Sequence, residues 1–132
     1  MRPVRPIYLD VLGTGIDILG TRMPTPRSPL LQGTLDLLIL KTLARGPRHG
    51  YAVARWIEDA TDDALRIEEG SLYPALYRME RRGWIEAAWD KSEIGQRIKV
   101  YSLTSAGRSQ LRTESAQWSH FTTAVAKIVG QP

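Results

Sequence analysis

Apolar side chains along this chain keep a helical spacing through three segments, switch to alternation, and then return to a helical spacing. From Leu30 to Ala44 the run L-L-Q-G-T-L-D-L-L-I-L-K-T-L-A places Leu31, Leu35, Leu38, Ile39, Thr42 and Leu43 on one stripe. That stripe is wide enough to meet more than one neighbour. Arg45-Gly46-Pro47 ends the helix, with glycine after the last apolar residue and proline just beyond. A second helix starts near His49-Gly50 and carries Tyr51, Val53, Ala54, Trp56 and Ile57. Glu58, Asp59, Asp62 and Asp63 crowd its far end, where the helix dipole disfavours negative charge, so it stops between Ala60 and Asp63.

The stretch E-G-S-L-Y-P-A-L-Y-R-M-E-R-R-G-W-I, Glu69 to Ile85, predicts a short third helix with two unlike faces. Ser71 is the expected N-cap, since its hydroxyl can accept an orphan backbone N–H, and Pro74 then falls in the first turn, where its missing N–H does no harm. Gly83 is the expected stop. Leu72, Leu76 and Met79 form the buried stripe. Ser71, Tyr73, Pro74, Tyr77, Arg78, Arg81 and Arg82 lie on the other side. Hydroxyl-bearing aromatics and guanidinium groups on one helix face suit a DNA groove, where arginine meets phosphate and hydroxyls reach backbone or base edges. The plainer account of the arginines is a solvated last turn that complements the macrodipole.

Alternation follows. Ile85, Ala87 and Trp89 share one face and Glu86 and Ala88 the other; after the polar turn D-K-S-E-I-G-Q, Ile98 and Val100 oppose Lys99, Tyr101 and Leu103. Two strands and a polar turn make a β-hairpin. Thr104 can cap a last helix that runs to about Val129. Leu111, Trp118 and Val125 recur every seven residues on it, with Phe121 and Ile128 interleaved. This is a coiled-coil-like seam on a helix of about 25 residues, or roughly 37 Å. Such a seam needs a partner, either the first helix or the same helix of a second subunit; the second gives a symmetric dimer with two recognition helices.

The expected fold is therefore mainly α with a small β component (α+β): a winged helix-turn-helix with a two-stranded wing and a long C-terminal dimerisation helix. Residues 30–103 make the winged domain and 104–130 the helix, after an extension over 1–29. In that extension Arg2 and Arg5 precede a semi-apolar run from Ile7 to Leu19 that Asp10 and Asp17 interrupt. It is too short and too charged to span a bilayer and no signal-cleavage site follows. Gly13, Gly15 and Gly20 miss the dinucleotide-binding spacing. Pro24, Pro26 and Pro29 form a stiff leader, and Met23 offers an alternative translation start.

A net charge of +4 and a pI of about 9.7 permit a polyanionic partner without requiring one. The chain has no cysteine, which excludes disulfides, cysteine nucleophiles and thiolate metal sites and fits a reducing compartment such as the cytoplasm. Of the two histidines, His49 opens a helix, where backbone capping or packing is its expected role, and His120 is remote from it. No nucleophile, base and orienting group occur together, and no metal-ligand cluster or phosphate-binding glycine loop is present. The expectation is no catalytic residue, no metal and no cofactor.

Four blocks in this order, L-x-G-T-L-D-L-L-I-L-K-T-L, G-P-R-H-G-Y, G-S-L-Y-P-A-L-Y-R-M-E-R-R-G-W-I and K-V-Y-S-L-T-S-A-G-R, resemble the PadR family of bacterial transcription regulators. The resemblance spans about Leu30 to Val129. It implies a homodimeric, DNA-binding repressor in the cytoplasm, with double-stranded operator DNA as partner and no membrane association. By resemblance the major-groove residues are Ser71, Tyr73, Pro74 and Tyr77 with Arg78 and Arg81 beyond, and the wing contacts are Lys99 and Arg97. Val100 stands where the family often has tyrosine. Dimerisation falls to Leu111, Trp118, Phe121, Val125 and Ile128. Some family members hold flat aromatic effectors beside an aromatic residue of the last helix, for which Trp118 is the candidate; a simple apolar anchor at the seam is the plainer role. The competing function is a winged-helix protein-interaction module without DNA binding, for which Glu68, Glu69 and Glu80 near the basic face leave room.

Overall fold

The structure, a computed structural model, describes residues 29–130, with side chains from 33 onward. The leader, Met23 and the Leu31 side chain lie outside the described residues. The elements are α1 (Pro29–Ala44), β1 (Arg48–His49), α2 (Gly50–Ala60), α3 (Glu69–Arg81), β2 (Ile85–Lys91), β3 (Arg97–Leu103) and α4 (Ser105–Val129). This is the expected α+β winged helix, with one addition. The hairpin β2–β3 is antiparallel, and β1 joins its open side to make a three-stranded sheet of order β1-β3-β2.

Helix α1 is the centre of the domain. Ile39, Leu40, Thr42 and Leu43 are fully or almost fully buried, so burial extends round the helix beyond the predicted stripe, which omitted Leu40. Leu35 and Leu38 pack at the margin of the core. Against α1 lie Val53, Ala54 and Ile57 of α2 and Leu72, Ala75, Leu76 and Met79 of α3. Ile85, Tyr101 and Leu103 close the core from the sheet.

The ends of the helices follow local chemistry. Of the two roles expected for His49, capping is the one it takes: its Nδ1 accepts the Ala52 N–H at 3.3 Å. Thr61 closes α2 at the acidic end. In the following loop Asp62 and Asp63 adopt left-handed backbone, and the Glu58 carboxylate accepts the Ile67 N–H at 3.0 Å, leading the chain into α3. Helix α3 begins one turn sooner than expected. The Glu68 carbonyl accepts from Ser71 and Leu72 at 3.0 and 2.9 Å, so Ser71 is the third helical residue rather than the N-cap. Pro74 is correspondingly inside the helix, not in its first turn. Glu69, an acid at the positive end of the dipole, favours this earlier start. The Gly70 carbonyl, which proline cannot satisfy, belongs to an exposed residue.

Gly83, at φ +79°, ends α3 and turns the chain into β2. Thr104 locks the next junction. Its hydroxyl is 2.6 Å from the Gly83 carbonyl and 3.0 Å from that of Trp84, and it accepts the Gly107 N–H at 3.0 Å. The start of α4 is thereby tied to the α3–β2 turn.

Candidate nucleic-acid interface

Burial of Leu72, Ala75, Leu76 and Met79 fixes which side of α3 faces out. On that side Glu69, Tyr73, Tyr77 and Arg81 follow one another at four-residue spacing, the spacing of neighbours along one helix face, and all are exposed. Tyr77 is 62% accessible, and the Arg81 guanidinium lies 5.7 Å from its ring centroid. Pro74 is exposed beside Tyr73, whereas Ser71 is half-buried. The face therefore offers phenolic hydroxyls toward its N-terminal end and a guanidinium toward its C-terminal end.

Two predicted cations meet acids of their own chain. Arg78 donates to the carboxylate of Asp36, a buried residue of α1. It therefore ties α3 to the central helix and is not part of the exposed stripe. Burial raises the pKa of Asp36 above its ordinary value; Arg78 pulls it down, and the negative charge of Glu114 adds to the rise. Lys99 on the wing lies 3.4 Å from Glu80 of α3, holding wing and helix together. Arg97 is exposed, its guanidinium 4.4 Å above the Trp89 ring.

The N-terminal end of α2 contributes residues that the sequence reading placed only in the helix. A Cβ on Gly50 would stand 2.9 Å from Cε1 of Tyr73 and 3.3 Å from its hydroxyl, so Tyr73 rests against bare backbone there. Tyr51 is exposed and parallel to the His49 ring, with centroids 6.4 Å apart, and Arg55 donates to the Tyr51 hydroxyl at 3.1 Å. Tyr51, Arg55, Glu69 and Tyr73 share the wall of a depression of about 550 Å³. The available signal was the i, i+4 pair Tyr51/Arg55 on the side of α2 opposite Val53, Ala54 and Ile57. Among the described residues no group of His, Asp and Glu is placed to hold a metal ion.

The far half of α4 forms a second unusual surface. Leu111, half-buried, packs against the core of its own chain. Trp118, Phe121, Val125 and Ile128 remain 39–79% accessible. Trp118 and Phe121, with centroids 6.0 Å apart, edge a cavity of about 520 Å³ whose walls also include Trp84, Arg78, Asp36 and Gln117.

The family model described as "Transcriptional regulator PadR-like family" matches residues 39–113, more than half of the chain. The chain belongs to this PadR-like family. A solved transcriptional regulator from Clostridium thermocellum shares its fold with a TM-score of 0.71 and 27% identity, over 77% of this chain and 99% of that one. A PadR-like transcriptional regulator from Bacillus cereus matches at a TM-score of 0.67 and 28% identity, over 80% of this chain and all of the other. An uncharacterised protein of Lysinibacillus sphaericus is 31% identical over 93 residues, 70% of this chain and 85% of its own length. A PadR-like chain is a transcriptional regulator and not an enzyme, and the winged helix described above is the fold of its relatives.

Proposed function

We propose that this protein is a homodimeric, sequence-specific DNA-binding repressor whose α3 enters the major groove of its operator. The observation that carries the reading is the exposed stripe Tyr73–Tyr77–Arg81 on a helix whose other face is locked into the core. Family membership supports DNA as the partner. Affinity comes chiefly from arginine contacts to phosphate, which release counterions and weaken as salt rises. Specificity comes from the tyrosine end of the stripe and from DNA shape. A reader of operator DNA works in the cytoplasm, and no helix among the described residues is long and apolar enough to cross a membrane.

Arg81→Ala should weaken binding to all sequences alike and lower the slope of log affinity against log salt by about one. Tyr73→Ala should instead narrow the gap between operator and unrelated DNA. Fluorescence anisotropy with both DNAs separates the two effects. Variants that both bind like the parent protein would show that the stripe is not the DNA face and would favour a protein-interaction module.

For the dimer, the support is the exposed apolar seam of Trp118, Phe121, Val125 and Ile128 on a helix whose first half packs on its own core. A charge at the middle of an apolar interface is left without water or partner. Val125→Glu should therefore convert a dimer to a monomer in sedimentation equilibrium without unfolding the winged domain. A parent protein that sediments as a monomer contradicts this part of the reading. The cavity beside Trp118 is the site we assign to a small flat aromatic effector. Asp36 and Arg78 line it, so a ligand competing for either would loosen the tie between α1 and α3.

A further inference from the structure

The wing has two electrically unlike faces. Register pairs Ile85 with Leu103, Ala87 with Tyr101, Trp89 with Lys99 and Lys91 with Arg97. Side chains alternate across a sheet, so these eight share one side, and at its base Ile85, Tyr101 and Leu103 are buried against the helices. Beyond the core the same side continues as Trp89, Lys91, Arg97 and Lys99: three cations around one indole. The Lys99–Glu80 contact shows that this side looks toward α3. The opposite side of β2 carries the acids Glu86 and Asp90.

At the tip, the Ser92–Gln96 turn is closed by Ser92 N–H to the Gln96 carbonyl at 2.7 Å and Gly95 N–H to the Ser92 carbonyl at 2.9 Å. It holds out Ile94, 79% accessible, while Trp89 is 58% accessible. The described large apolar residues that stay exposed lie on the helix face of Tyr51, Tyr73 and Tyr77, on the α4 seam, and here. Neither the α3 stripe nor the dimer seam accounts for this third place. A phosphate contact needs cations and has no use for an exposed isoleucine and indole.

We propose that the wing tip is a minor-groove wedge: Ile94 inserts at a base step, flanked by Arg97 and Lys91, with Trp89 against the sugar edge, and the DNA is bent there. The inference rests on the DNA-binding reading above. With α3 filling the major groove, the groove that the neighbouring wing meets is the minor one, about 6 Å wide. Its negative potential draws the basic side of the hairpin inward and leaves the acidic side facing out. Branched aliphatic wedges that partly unstack a step, with cations beside them, are a general device of minor-groove binders, and they bend the duplex toward the major groove.

The test uses the full chain and an operator fragment obtained by selection from random DNA, labelled at both ends so that energy transfer reads the bend and anisotropy reads affinity. Ile94→Ser should straighten the complex and weaken binding by about tenfold, while the order of preference among operator variants, set by α3, is kept. Arg97→Gln should weaken binding and flatten its salt dependence. Asp90→Asn, on the outer side, should leave the bend unchanged. If Ile94→Ser bends and binds the operator like the parent protein, the wedge is excluded and the apolar tip becomes a surface for another protein. A parent protein that selects no DNA overturns both this inference and the reading beneath it.

Discussion

Replacing Gly107 with alanine should destabilise the fold by about 3 kcal/mol, at the upper end of the cost of forcing a methyl into packed space. At roughly 4 °C per kcal/mol for a domain of this size, the melting temperature falls by about 12 °C. The new Cβ would lie 2.0 Å from the Trp84 carbonyl oxygen, 2.7 Å from Cδ1 of Leu103 and 3.0 Å from the Trp84 carbonyl carbon. Leu103 could give a little, but the Trp84 backbone cannot. Its N–H is bonded to the Met79 carbonyl at 3.1 Å, and its own carbonyl accepts from the Thr104 N–H at 3.0 Å. Relief therefore requires α4 to lift from the α3–β2 turn, which also strains the Thr104 cap. Alanine's helix propensity returns only about 1 kcal/mol. Gly33→Ala in α1 is the matched control: its Cβ would meet nothing within 4 Å, so the same propensity should show as a small gain. Thermal unfolding of both variants checks the contrast, and equal behaviour would refute the close approach.

The second large effect is expected at Arg78. Arg78→Ala leaves the Asp36 carboxylate buried without its cation, with Glu114 still nearby. Breaking a buried pair costs about 3–5 kcal/mol, and the lower end applies because the guanidinium keeps a quarter of its surface in water. The pH dependence has a definite sign. Asp36 already has a folded-state pKa above the unfolded one, because burial outweighs Arg78; removing Arg78 raises it further. Well below pH 4 both states hold the proton and the burial penalty vanishes; it grows as pH rises past the unfolded value and is complete above the folded pKa. The deficit of Arg78→Ala should thus be largest at pH 7 and shrink toward pH 4. Asp36→Asn, which removes the buried charge and keeps an acceptor for Arg78, should stay within about 1 kcal/mol of the parent protein. Urea unfolding at the two pH values measures all three proteins. A variant that loses DNA affinity at unchanged stability would instead place Arg78 on the DNA face.

These two residues also mark the limit of what could be read from the chain alone. The helices, the hairpin and two caps were legible because they rest on local chemistry: apolar spacing, His49 before α2, Thr104 before α4, Gly83 after α3. The two-residue strand β1 was not, since Arg48 and His49 are a strand only by pairing with Tyr101 and Val100, some fifty residues on. Arg78 sits at the border between the two faces of α3, beside buried Met79 and exposed Tyr77. Its direction is decided by Asp36, 42 residues away, which helical periodicity cannot see. Lys99 was drawn to Glu80 for a similar reason. Gly107 looked like an ordinary glycine early in a helix, and only the position of the Trp84 carbonyl explains it. The start of α3 was displaced because Ser71 is the better side-chain cap, whereas the Glu68 carbonyl with an acidic first turn began the helix sooner. For the exposed stripe the pattern sufficed: Leu72, Leu76 and Met79 were identified as buried, and Tyr73, Tyr77 and Arg81 are what remains outside.

The most direct test of the central claim is fluorescence anisotropy of the purified protein with DNA from upstream of its own coding sequence, against a scrambled fragment, at about 50 and 200 mM salt. Tighter binding to the upstream fragment is expected, weakening steeply at the higher salt as phosphate contacts lose their counterion-release advantage. Equal binding to both fragments, or binding to neither, would contradict sequence-specific recognition of that DNA through the α3 stripe.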